Sequence, residues 1–273
     1  MEIRKKLKVI SKTLNLTQTK LAEKFGVSFV AFNRWWKGKA TPRPKMQGKI
    51  DDLFLEVTGQ KTVPQSILKE KKDLLEKKKY KNVVKDILSN PDIKDQFVLK
   101  LTYNSNRIEG STLTEPETFA LLFDDVALTN RSLVEQLEAK NHQAALNYLF
   151  DHISKGGVVN EDFILKLHAI LMNSVRSDAG AYRSHPVRIA GVNLPTVNHL
   201  KIPDLVPQTL KRKKKDIISL VTEVHSEFER IHPFSDGNGR VGRLLMNAML
   251  LKNDFAPAII LQNQKQLYIQ LSL

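Results

Sequence analysis

Apolar residues along this chain recur mostly at helical spacing, and turn residues divide them into short runs. Ile3, Leu7 and Ile10 form one stripe, which predicts a helix over about Glu2–Thr13. Thr17 stands where an N-cap would precede the run from Gln18 to Phe25, and Gly26 can take the left-handed conformation that ends it. Ser28 can cap a third helix, Phe29–Lys37, that stops near Gly38. Pro42 and Pro44 break the chain, and a fourth helix, about Lys45–Val57, ends at Gly59. Residues 60–100 are rich in lysine and punctuated by Pro64 and Pro91, with Leu68, Leu74, Leu75, Val83, Val84 and Leu88 suggesting helical linker segments. Further on, Ile217, Leu220, Val221, Val224, Phe228 and Ile231 predict a helix over 216–231, and Val241, Leu244, Leu245, Ala248 and Met249 another from near Gly239. The exception is 182–197, where Val187, Ile189 and Leu194 flank Ala190-Gly191 and predict a hairpin. The pattern as a whole predicts a mainly α protein: a bundle over 1–60, a helical linker over 61–100, and a larger helical domain over 101–273 with a small β-hairpin.

Charge sharpens this division. The chain of 273 residues carries a formal +14, which points to polyanionic partners. Residues 1–60 hold roughly +8, 61–100 roughly +5 and the remainder about +1, so the two halves are suited to different tasks. With no cysteine, disulfides and thiolate metal sites are excluded. The amino end has no apolar signal core, and no run of about 18 apolar residues occurs. No membrane association is therefore expected, and a cytoplasmic location is.

Two short helices joined by a glycine turn inside a basic bundle describe a helix-turn-helix. Leu21, Ala22, Val27, Phe32 and Trp35 fall where the helices must pack, leaving Phe29, Ala31, Asn33 and Arg34 on or near the exposed face. Gln18, Ser28, Phe29, Asn33, Arg34 and Lys37 are the candidate contacts to double-stranded DNA, with Lys20 and Lys39 beside them. A bundle used for protein contacts is the plainer alternative. The stretch Leu16-Thr17-Gln18, Leu21-Ala22, Phe25-Gly26-Val27-Ser28, Trp35, Gly38-Lys39 and Pro42 resembles the Cro/repressor family, departing from it at Trp36, where that family has an acidic residue. A homodimer would suit a specific DNA site.

The chemistry lies between the last two helices, in His232-Pro233-Phe234-Ser235-Asp236-Gly237-Asn238-Gly239-Arg240. Glycines let successive backbone N–H groups aim into one cavity, and the N-terminus of the following helix adds partial positive charge, a combination that binds phosphate. Arg240 and Arg243 present fork-shaped donors to further oxygens. Asp236 is a hard oxygen ligand for Mg²⁺, and His232 is placed to take a proton from a hydroxyl. Taken singly, each has a bland reading: a capping histidine, a plain turn, a solvated arginine face.

Together, His232 through Arg243 resemble the full signature of the Fic family. Agreement continues in Ile108-Glu109-Gly110, Leu113-Thr114, Ala179-Gly180-Ala181-Tyr182-Arg183 and Leu244-Leu245-Met246-Asn247. The resemblance runs from about residue 100 to the chain end. It implies AMP transfer from ATP to a Ser, Thr or Tyr hydroxyl of a target protein, with pyrophosphate released. By position His232 is the general base and Asp236 holds Mg²⁺. Gly237, Asn238 and Gly239 cradle phosphates, Arg240 binds the phosphate chain, and Arg243 reaches the γ-phosphate. Gly239 stands where some phosphotransferring relatives have lysine, and it leaves room for the outer phosphates.

Alone, Glu109 reads as an exposed last-turn glutamate. With Ser105 and Gly110 it resembles the Fic inhibitory motif, in which the glutamate pairs with the second arginine, here Arg243. Some such proteins also remove AMP. The hairpin, with Val187, Ile189 and Gly191, resembles the Fic flap that holds a target segment by main-chain pairing. The Lys211–Lys215 run reads as a solvated loop or as a contact to an acidic target or DNA. Tyr268 fits the start of the helix that carries adenine contacts in relatives, while Ile269 replaces a second aromatic, and the end at Leu273 suggests a truncated adenine wall. Two other readings stand beside AMP transfer: a transcriptional regulator whose Fic domain senses nucleotide without efficient turnover, and a metal-dependent hydrolase using His225, His232 and Asp236.

Overall fold

The computed structural model describes residues 3–58, 65–77, 80–188, 196–214 and 216–264. It forms two compact units, one up to Lys71 and one from Lys72. Four helices make the first: α1 (Ile3–Leu14), α2 (Gln18–Phe25), α3 (Phe29–Trp36) and α4 (Pro44–Thr58). Each boundary has a local cause. The Thr17 hydroxyl accepts from the Lys20 N–H, the Ser28 hydroxyl accepts from the Ala31 N–H, and Gly26 closes α2 at φ 66°. Pro44 opens α4 rather than merely preceding it, because a first-turn N–H has no intrahelical acceptor and its absence in proline costs nothing.

Leu7, Ile10, Leu21, Phe32, Ile50 and Phe54 close this core, with Val27, Trp35 and Trp36 packed partly against it. Trp36 lies 6.0 Å from Phe32, ring centre to ring centre. At the position where the resembled family has an acidic side chain, this chain therefore adds aromatic packing.

Helix α5 spans Gln65–Lys77. The second unit continues with α6 (Val83–Ser89), α7 (Pro91–Glu109), α8 (Glu115–Phe123), α9 (Leu133–Ser154), α10 (Glu161–Leu171), α11 (Ile202–Leu210), α12 (Ile217–Ile231) and α13 (Asn238–Lys252). Helix α9 is central, packing on α6, α7, α8, α10 and α13. Its Ala139, Ala145, Leu146, Leu149 and Phe150 are fully buried, and truncating Phe150 to alanine would cost about 3–5 kcal/mol. Val83, Val84 and Ile87 of α6 join this core, so the lysine-rich stretch contributes packing as well as charge. Pro91 likewise opens a helix: the Asn90 side chain accepts from the Ile93 N–H, and Gly110 ends α7 at φ 109°. The Thr114–Glu117 capping box starts α8.

The fold is mainly α, and among the described residues no strand occurs. Of the expected hairpin, Arg188 forms an isolated bridge and the Thr196 hydroxyl donates to the Val187 carbonyl at 2.7 Å. Ile189, Ala190, Gly191 and Leu194 lie outside the described residues, as do Gly59, Pro64, Lys215, Tyr268, Ile269 and Leu273. Among the described residues no helix is long and apolar enough to cross a membrane.

Candidate active site

The loop joining α12 to α13 is shaped by its own side chains. His232 caps α12 in the left-handed region, at φ 51° and ψ 62°, a conformation that non-glycine residues seldom hold without support. Phe234 is fully buried and stacks on His168 of α10, ring centres 3.7 Å apart and planes 7° from parallel. The Phe234 N–H donates to Asn238 Oδ1 at 2.8 Å, and Asn238 Nδ2 donates to the Phe234 carbonyl at 2.8 Å. The Asn238 side chain is thus engaged within the loop. Gly237 is at φ 78°, and a Cβ there would meet Met172 Sδ at 2.9 Å, so turn and floor both demand glycine. No side chain caps α13, which leaves first-turn N–H groups at a positive helix end.

His232 has one defined ring contact, Nδ1 to the Glu229 carbonyl at 3.3 Å. A carbonyl only accepts, so Nδ1 carries the proton and Nε2 is the basic nitrogen. Burial, opposed by that bond and helped by the Arg183 charge, lowers the ring's pKa and keeps it neutral. Asp236 is half exposed, and its Oδ1 accepts from the Gly237 N–H at 2.6 Å.

Both arginines are buried and paired. Arg240 Nη1 donates to Glu138 Oε1 of α9 at 2.7 Å, and its Nη2 is 3.8 Å from Asp236 Oδ1. Arg243 donates from Nε to the Ser105 hydroxyl at 2.9 Å, and from Nη2 to the Ser105 carbonyl at 3.1 Å and Glu109 Oε1 at 2.6 Å. Gly239 lies directly beneath that carboxylate. A Cβ there would come within 2.3 Å of Glu109 Oε1 and 3.1 Å of Arg243 Nη1. Ser105 and Glu109, one helical turn apart on α7, therefore meet a guanidinium 134 to 138 residues downstream.

Glu138 and Glu229 were not among the residues the sequence singled out. Glu138 sits 102 residues from Arg240 with no local motif to mark it. Glu229, one helical turn before the loop, is buried against Gly242 and His225. A Cβ on Gly242 would meet Glu229 Oε1 at 2.4 Å, so glycine lets the carboxyl sit on α13. Burial, together with the nearby Glu109 charge and against the pull of Arg243, pushes the Glu229 carboxyl up to about 7. His225 donates from Nδ1 to the Gly242 carbonyl at 3.1 Å, and burial lowers its pKa to about 4. Among the described residues no three His, Asp or Glu side chains converge to hold a metal ion, so nothing supports the hydrolase reading. One exposed carboxylate beside the uncapped N-terminus of α13 fits Mg²⁺ that arrives on phosphate oxygens, because this ion is held by one or two carboxylates plus its substrate.

The remaining expected positions divide. Val187 lies in the described part of the expected hairpin, and its carbonyl accepts from the Thr196 hydroxyl. In the first unit Phe29, Val30, Arg34 and Lys37 are exposed and Gln18 is half-buried. Ser28 is exposed with its hydroxyl capping α3, whereas Asn33 Oδ1 is buried without a partner. In the basic run, Arg212 pairs with Glu223 at 2.9 Å and Glu227 at 3.7 Å, and Lys214 pairs with Glu223. Arg212 and Lys214 are thus paired with carboxylates of α12.

Comparison with known proteins agrees with this geometry. Residues 158–250 match the Fic/DOC family. A Nematostella vectensis protein adenylyltransferase Fic is 35% identical over 164 residues, covering 58% of this chain and 38% of that protein. Its Drosophila erecta namesake is 30% identical over 173 residues, covering 61% and 34%. The chain thus spans well under half the length of these relatives. A Fic domain containing signaling protein from Bacteroides thetaiotaomicron superposes with TM-score 0.59 at 28% identity, covering 68% of this chain and 79% of that one. Fic-1 from C. elegans superposes with TM-score 0.60 at 21% identity, over 82% and 70%. The class is that of Fic-fold proteins. Residues 158–250 carry the similarity to the Fic/DOC family, and protein adenylyltransferases named Fic are among the proteins this chain resembles.

Proposed function

We propose that the chain is an autoinhibited protein adenylyltransferase that moves AMP from ATP to a Ser, Thr or Tyr hydroxyl. The observation that carries this reading is a neutral histidine with a basic Nε2 on the same short loop as an uncapped helix N-terminus and two buried arginines. The triphosphate lies along the N–H groups of α13, with Arg240 and Arg243 on its oxygens. Asp236 would hold Mg²⁺, which would offset negative charge on the phosphates when bound. The hydroxyl oxygen attacks the α-phosphorus, the bond to pyrophosphate breaks, and His232 Nε2 accepts the hydroxyl proton.

Glu109 holds this reaction off. Its carboxylate occupies the space above Gly239 and the Nη2 donor of Arg243, where an outer phosphate would bind. The first unit, with its exposed Phe29, Arg34 and Lys37, is the DNA-binding module of this reading. The Glu109–Arg243 pair also favours a second reading, in which the domain senses nucleotide without turnover. Incubation with ATP labelled at the α-phosphate separates them. Label on protein, increased by Glu109→Gly, supports transfer; ATP binding without label in both proteins supports sensing.

A further inference from the structure

Arg183 is 3% exposed and, beyond the effect of its charge on His232, has no role in the chemistry described above. Its guanidinium reaches four carbonyl oxygens on two separate segments. Nε donates to His232 at 2.7 Å and Nη2 to Ile231 at 3.3 Å. Nη1 donates to His185 at 2.8 Å, and Nη2 also to Val197 at 2.6 Å. Its own backbone N–H donates to the Pro233 carbonyl at 3.0 Å. One side chain therefore ties both ends of the 185–197 segment to the turn that carries the base.

Two features make this more than ordinary packing. His232 holds a left-handed conformation, in which its carbonyl direction needs an external anchor. Among the described residues the hydrogen-bond partners of the buried guanidinium are all carbonyls, and burial lowers its pKa. Desolvating a cation without a carboxylate is unfavourable, and an apolar residue would fill such a site more stably if filling were its only role. The planar fork is what spans four acceptors; a lysine ammonium, with three donors at one point, cannot.

We propose that Arg183 is a positioning residue that holds the His232 turn in one register with His185 and Val197, so that Nε2 keeps the orientation in which it accepts a hydroxyl proton. This rests on the AMP-transfer reading. The charged groups facing His232 are Arg183, Glu109 of α7 and Asp236 of the loop; the first favours the neutral ring, and the two carboxylates oppose it.

The test has two arms. In the Glu109→Gly protein, initial rates of self-labelling with α-labelled ATP are compared with and without Arg183→Lys and Arg183→Gln, and ATP binding is measured by calorimetry. Both substitutions are expected to slow labelling at least tenfold while the ATP dissociation constant stays within twofold. Rates within twofold of the Arg183 protein, or ATP affinity falling in step with rate, would overturn the proposal. So would loss of the fold in both variants, since Arg183 would then serve stability alone. The second arm needs no turnover: the His232 ring is titrated by NMR in otherwise unsubstituted protein. Its midpoint is expected to rise in Arg183→Gln and to stay in Arg183→Lys; an equal response in both contradicts the geometry. If Glu109→Gly itself takes no label, the AMP-transfer reading fails, and this titration still judges Arg183.

Discussion

Replacing Glu109 removes the anion that competes with ATP, and the size of the effect follows from the contact. Glu109 Oε1 accepts from Arg243 Nη2 at 2.6 Å, with the arginine side chain 6% exposed and the glutamate 39%. Hydrogen bonds to charged groups contribute about 1.5–3 kcal/mol. If ATP must first displace this one, the competent fraction of the protein is about one in 10 to one in 150. Water reaches the glutamate, so the lower part of that range applies, and Glu109→Gly should tighten ATP binding about 10- to 30-fold. Glu109→Gln is the informative companion. The amide keeps its bulk over Gly239 and loses the charge, so its affinity should fall between the two proteins. Calorimetry with Mg²⁺-ATP reads affinity, and initial rates of self-labelling read turnover. Glycine near the end of α7 costs up to about 1 kcal/mol of helix propensity, which melting curves measure separately. ATP affinities within twofold of each other in all three proteins would refute the competition.

Other outcomes follow from the same geometry. His232→Ala in the Glu109→Gly background should abolish labelling and leave ATP affinity within a fewfold, because the ring takes a proton and holds no phosphate; parallel loss of binding would contradict its role as base. Gly239→Ala places a methyl where Glu109 Oε1 now sits, 2.3 Å away. It should lower ATP affinity at least tenfold even with Glu109 replaced by glycine, and calorimetry showing no loss would mean the phosphates lie elsewhere. Glu229 binds its proton more tightly folded, at about 7, than at its ordinary value of 4.5. Its contribution is therefore fully present below about 4.5 and is lost as pH rises through about 7, by about 3 kcal/mol in all. Glu229→Gln should flatten stability between pH 5 and pH 8 relative to the parent, read as denaturant midpoints; parallel pH profiles would show that Glu229 is ionised in the fold.

Much of this molecule was legible in its local patterns. Thr17, Gly26, Ser28, Gly110 and the Thr114–Glu117 box act through neighbours within a few residues, so sequence spacing carries their geometry. The 232–243 loop is legible for the same reason. What escaped is long-range or depends on burial. Nothing near Glu138 marks it as the partner of Arg240, and Glu229 reads as a surface residue until α13 covers it. Asn238 adds a role that spacing does not show: its side chain closes the loop on the Phe234 backbone. Prolines 44 and 91 read as breaks because sequence alone does not say whether a proline stands before a helix or opens it.

The measurement that reaches the central claim most directly is the intact mass of the Glu109→Gly chain after incubation with Mg²⁺-ATP. The account requires an added AMP on a Ser, Thr or Tyr hydroxyl, at a level well above that of the unsubstituted chain, and none when His232→Ala is added. An unchanged mass despite bound ATP, or an AMP adduct that persists without His232, would contradict it.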